Sequence, residues 1–149
     1  MKNLTVILAF IVSIFVTSCK KDEVATPAKS KKELLTAKTW IISEVNIFSG
    51  SVVVYKRGNT ANTYDLDKVS LKFNNDGTLS ATDDTGKAVT GAKWVLSSDE
   101  SKVTISNTGI LGLDGDLPLV QIQENLLEVK GKVNVQGIPV EANIKATPK

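Results

Sequence analysis

The sequence predicts an all-β fold: an antiparallel up-and-down β-barrel of eight strands, nine on a looser count, preceded by one short helix. Three observations carry this. From Trp40 onward apolar and polar residues alternate in short runs, the period of a half-buried strand. Those runs are joined by tight-turn chemistry at Ser49-Gly50, Asp76-Gly77, Asp83 to Gly86 and Gln136-Gly137. No helical period of useful length follows Ala37. Consecutive hairpins make a meander, and a meander of this size protects its edges best by closing into a barrel. A two-sheet sandwich is the runner-up. The chain has a single Cys, so the cysteine pair of an immunoglobulin-type sandwich is missing.

The chain opens on Lys2 and then the apolar run Leu4 to Val16, thirteen residues broken only by Thr5 and Ser13. A membrane-spanning helix needs about 20, so the run fits the core of a signal peptide. Val16-Thr17-Ser18-Cys19 follows and resembles the lipobox of bacterial lipoproteins. That resemblance implies acylation of Cys19, with residues 1–18 removed as the signal peptide. The other reading is a free thiol after an ordinary secretory signal. Residues 19–29, polar and containing Pro27, are expected to be a flexible tether. Lys20-Lys21 before Asp22-Glu23 resembles the export tag of some Gram-negative lipoproteins. The expected address is the bacterial outer membrane, lipid-anchored, facing either the medium or the periplasm.

Residues 30–149 form the expected domain. Ser30 and Glu33 make a capping box ahead of Leu34 and Leu35, which predicts a short helix from Lys31 to Ala37. Such a helix must dock its leucines to persist. Thr39 to Phe48 is expected to alternate, with Ile41, Ser43, Val45 and Ile47 on one face and Trp40, Ile42, Glu44, Asn46 and Phe48 on the other. Ser51 to Lys56 is a second β-branched run, and Arg57 to Asp67 a longer loop. Val69, Leu71 and Phe73 mark the next strand, and Thr78 to Thr82 returns after Asp76-Gly77. Ala92 to Ser97 and Lys102 to Ser106 form another hairpin. Asn107 to Asp116, with Gly109, Gly112 and Gly115, is a loop. Leu117 to Gln123, Leu126 to Val135 and Ile138 to Lys145 complete the strands.

Composition excludes several functions. The chain carries 18 Lys and Arg against 16 Asp and Glu, with no concentrated basic face, so nucleic acid is not an expected partner. It contains no His, which rules out a Ser-His-Asp or Cys-His centre within the chain and removes the commonest metal ligand. The densest carboxylates, Asp83-Asp84 and Asp114-Gly115-Asp116, lack the ligand spacing of a Ca²⁺ loop and read as turn solvation. Gly109, Gly112 and Gly115 have no strand–helix context for a phosphate. No catalytic residue, metal or cofactor is expected, and the protein is read as a non-enzyme.

Leu34 to Trp40, Phe73-Asn74-Asn75-Asp76-Gly77-Thr78-Leu79, and Ala92 to Leu96 with Val103-Thr104-Ile105 are similar to elements of the lipocalin-like domains of small bacterial lipoproteins. Lys38 stands where lipocalins proper place a Gly before the strand-opening Trp. The resemblance implies an eight-stranded barrel with a short helix near one end. Trp40, Phe73 and Trp94 are the candidates to line a ligand pocket; the alternative is that they fill the core.

Two functions follow. One is a tethered barrel holding a small apolar or amphipathic ligand. The other is a filled barrel acting as an envelope interaction module, contacting an envelope protein through the loops Arg57 to Asp67 and Asn107 to Asp116. In either case membrane lipid is engaged through acylated Cys19.

Overall fold

The structure is a computed structural model that describes residues 28–149. The leader, Cys19 and the tether up to Pro27 lie outside the described residues. The domain begins with α1 (Lys31–Ala37). Its N-cap is the expected capping box: the Ser30 hydroxyl accepts from the Glu33 backbone N–H, and the Glu33 carboxylate accepts from the Ser30 N–H at 2.7 Å. Leu35 is its buried residue.

Ten strands follow: β1 (Thr39–Ile47), β2 (Val52–Lys56), β3 (Ser70–Phe73), β4 (Leu79–Thr82), β5 (Ala88–Val89), β6 (Lys93–Leu96), β7 (Lys102–Ser106), β8 (Gly115–Ile122), β9 (Leu127–Val135) and β10 (Ile138–Pro148). All pair antiparallel, in the order β5-β4-β3-β1-β10-β9-β8-β7-β6, with β2 attached to the far half of β1. First and last strands are thus neighbours, as in an up-and-down barrel. The sheet curls but does not close. Between β4–β5 and β6 no ladder forms, and the seam is crossed by one antiparallel bridge, Thr78 to Lys93. The Trp94 N–H donates to the Gly77 carbonyl at 2.9 Å, and the Leu79 N–H to the Ala92 carbonyl at 3.0 Å. The expected closed barrel of eight or nine strands is therefore a curled half-barrel of ten. The strand beyond the nine expected runs is β5, only two residues long, and β2, the expected run from Ser51 to Lys56, pairs off the main path.

The alternation expected through β1 is interrupted. Ile42 pairs with Ala146 and Glu44 with Lys145, so a bulge falls at Ser43. One extra residue flips the side-chain parity. Trp40 and Ile42 face inward before the bulge, and Val45 and Ile47 after it, so the second half of the strand keeps its apolar residues in the core. The assignment of Ile41 with Val45 and Ile47 to one face fails for this reason.

The core is a single cluster that runs from Leu35 to Ala146 and draws on the helix, the strands and both long loops. The Trp40 indole N–H donates to the Leu35 carbonyl at 3.0 Å, tying the strand entrance to the helix. Among the described residues no helix is long and apolar enough to cross a membrane.

Candidate functional site

The concave face of the sheet is where a ligand would sit, and side chains fill it. A void of ≈ 20 Å³ lies among residues that include Ile42, Phe73, Leu117, Val129 and Ile144. A second, of ≈ 10 Å³, lies among residues that include Tyr64, Leu66, Ile110 and Leu113. Each has about the room of one water, and a small-molecule pocket needs roughly 300 Å³ or more.

Two loops do the filling on the open side of the curl. The loop between β2 and β3 brings in Leu66, and the loop between β7 and β8 brings in Ile110 and Leu113, all three buried. Each loop is fastened by polar groups. Arg57 Nε donates to the Ile42 carbonyl at 2.8 Å, and its two terminal nitrogens donate to the Asp67 and Leu66 carbonyls at 2.6 and 3.3 Å. The Ile42 carbonyl sits next to the β1 bulge, so the bulge supplies the attachment point. Tyr55, fully buried, donates its hydroxyl to Asp67 Oδ1 at 2.7 Å. Burial, and then that hydrogen bond, push the Tyr55 phenol well above its ordinary range. The Tyr64 hydroxyl donates to the Asn134 carbonyl on β9. In the second loop the Asp114 carboxylate accepts from the Thr108 N–H and hydroxyl, both at 2.9 Å, and from the Gly109 N–H at 2.8 Å. These are the two loops through which the sequence reading places contact with an envelope protein; Leu66, Ile110 and Leu113 within them turn inward. The isolated Leu66, Ile110 and Leu113 in otherwise polar or Gly-rich stretches are the sequence signal for that role.

Of the three pocket candidates, Phe73 alone lines the ≈ 20 Å³ void. Phe73 and Trp94 meet edge to face, ring centroids 5.2 Å apart at 81°. The Trp94 indole donates to the Asn74 carbonyl at 2.9 Å, bolting β6 to the end of β3 across the seam. Trp40 stands apart, bonded to the helix. All three are at most 4% exposed. The two indole N–H groups are engaged by backbone carbonyls; Trp94 also borders an open outer groove of ≈ 480 Å³ beside the Asp76-Gly77 turn. Cys19 lies outside the described residues.

The acidic stretches are engaged in a turn, in the β7–β8 loop and across the β7–β8 ladder. Asp83 Oδ1 accepts from the Thr85 and Lys87 N–H groups, both at 2.9 Å. Asp116 accepts from Lys102 at 2.5 Å and from the Thr104 hydroxyl at 2.7 Å. The Ser97 and Ser101 hydroxyls hold the Asp99 carboxyl down at about 2. Among the described residues no group of three or more acidic or Cys side chains gathers as a metal site. On the outer face Glu44 accepts from the Asn46 amide at 2.7 Å and from Lys145 at 2.9 Å, and these bonds hold its carboxyl below its ordinary range.

A scan against protein-family models gives no match to this chain, and no curated protein sequence matches it.

Proposed function

We propose that this protein is a lipid-anchored lipoprotein of the bacterial outer membrane. Its lipocalin-like half-barrel would be a filled interaction module, without catalytic activity, rather than a carrier. The single observation that favours the filled module over the carrier is the interior. The residues that would have to surround a ligand leave voids of ≈ 20 and ≈ 10 Å³. A packed interior gives a rigid body whose outward surfaces do the binding. The anchor rests on the leader and Cys19, and the lipocalin-like assignment on the Leu34 to Trp40 opening and the two hairpins that follow it.

Two measurements test this reading. Cys19→Ala should release the protein from the membrane fraction, and the wild type should carry acyl mass on Cys19; a variant that still sediments with membranes refutes the anchor. An environment-sensitive apolar dye titrated into the folded protein should find no saturable site. A stoichiometric dye site displaced by a fatty acid would return the function to ligand carriage.

A further inference from the structure

Among the described residues, four of the six large apolar residues left exposed gather at one place. Phe48 is 59% exposed, Val52 44%, Val53 52% and Ile138 65%, and all four belong to two hairpin tips at one end of the sheet, whereas Val95 and Val120 stand singly on β6 and β8. The register fixes that placement. Ile47 pairs with Val52 across one turn and with Ala142 of β10 on its other side, and Ile138 starts β10 beyond that row. The chain enters at the opposite end, where Lys29 pairs with Glu124 of the β8–β9 turn at 2.8 Å.

Phe48 is also in an unfavourable conformation. It and Ser49 have φ of 51° and 55° in the turn that precedes β2. Asn or Gly is the residue such a position favours, and a bulky side chain there is an outlier. An aromatic held at a strained turn tip and left in water does nothing for the fold. Strain of this kind gathers where a surface is used.

The neighbouring charge is net basic, Lys130 and Lys132 against Glu141. Lys130 and Lys132 lie exposed on the outer face of β9, and among the described residues neither ammonium group forms an ion pair. Glu141 stands opposite Lys132 in the ladder without closing a bridge to it. We propose that these tips form a second membrane contact, in which Phe48 and Ile138 enter the interface of an anionic bilayer while Lys130 and Lys132 meet its headgroups. Apolar tips beside free lysines match that surface in both chemistry and charge. The contact rests on the reading that Cys19 is acylated. The eleven residues from Cys19 to Lys29 reach at most about 40 Å. The eleven-residue β10 spans about the same length, so an anchored domain lying along the bilayer can set its tips on it.

The test uses the chain from Lys20 onward, without lipid, which keeps every core residue. It is sedimented with vesicles of phosphatidylcholine alone or with a third phosphatidylglycerol. The wild type should bind the anionic vesicles, bind neutral ones far less, and let go as salt is raised. Phe48→Asn and Ile138→Ser should each weaken binding by on the order of tenfold. Phe48→Asn should also melt no lower than the wild type, because Asn relieves the strained turn; a structural role for the ring would lower the melting temperature instead. Absence of binding to anionic vesicles overturns the proposal. So does a dimer in sedimentation velocity that Phe48→Asn dissolves, since the tips would then serve a second copy. Neither result touches the acyl mass on Cys19, which reports the anchor separately.

Discussion

Gly131→Ala probes the packing of the loop against the sheet. Gly131 lies mid-way along β9, in ordinary strand conformation. A Cβ there would stand 2.5 Å from the Gly112 carbonyl oxygen and 2.7 Å from Ile144 Cδ1. Carbon contacts settle near 3.5–4.0 Å, so both neighbours must retreat by about 1 Å. Ile144 has little room to do so, because it is buried in the core and the two voids beside it hold only ≈ 20 and ≈ 10 Å³. Gly112 is pinned in turn, since a Cβ there would meet Lys132 O at 3.2 Å. Overpacking of this kind costs about 1–3 kcal/mol. Lifting the loop instead would expose Ile110 and Leu113, each worth about 1.5–3 kcal/mol when buried. Without a clash, Gly→Ala would stabilise by about 0.4–1 kcal/mol through the unfolded chain. The net expectation is a loss of about 2 kcal/mol, read as a fall of roughly 1 M in the urea midpoint. An unchanged or raised midpoint would mean that the loop does not press on β9 and that the interior is more open than described.

Phe73→Ala should cost about 3–5 kcal/mol in urea unfolding and leave a dry cavity that binds a benzene-sized molecule, detectable by calorimetry; a cost under about 1 kcal/mol would contradict the packing of that ring. Arg57→Lys should cost about 1–2 kcal/mol and raise the rate of proteolysis within the β2–β3 loop, because an ammonium cannot reach three carbonyls at once. Glu44→Gln tests the outer-face pair by its pH dependence. A carboxyl held below its ordinary range adds stability above that range and loses it as pH falls through the depressed value. The wild type should therefore exceed the variant by up to about 1 kcal/mol near pH 7, with the gap closing toward pH 3. A gap that widens on acidification would refute the assignment.

Much of the architecture was legible in local chemistry. The Ser30–Glu33 box and the Asp76-Gly77 turn act within a few residues, and each stands as read. What escaped was set by distant parts of the chain. The bulge at Ser43 leaves no mark in the alternation of Thr39 to Phe48; it is imposed by the partner strand, where Lys145 follows Ala146 in the register. The open seam is bridged only where Thr78 and Leu79 meet Ala92 and Lys93, and β5 beside it is two residues long, a pairing between segments that local alternation does not encode. The fate of the two loops turned on a few apolar residues among polar ones. Phe48 was read as the last residue of a strand, whereas the turn begins with it.

Native mass spectrometry of the protein taken from its own membrane tests the filled interior most directly. A packed half-barrel predicts one mass, the polypeptide from Cys19 plus its acyl groups, unchanged when the spray conditions are made gentler. A second, stoichiometric species carrying a small apolar molecule, lost on unfolding, would contradict it.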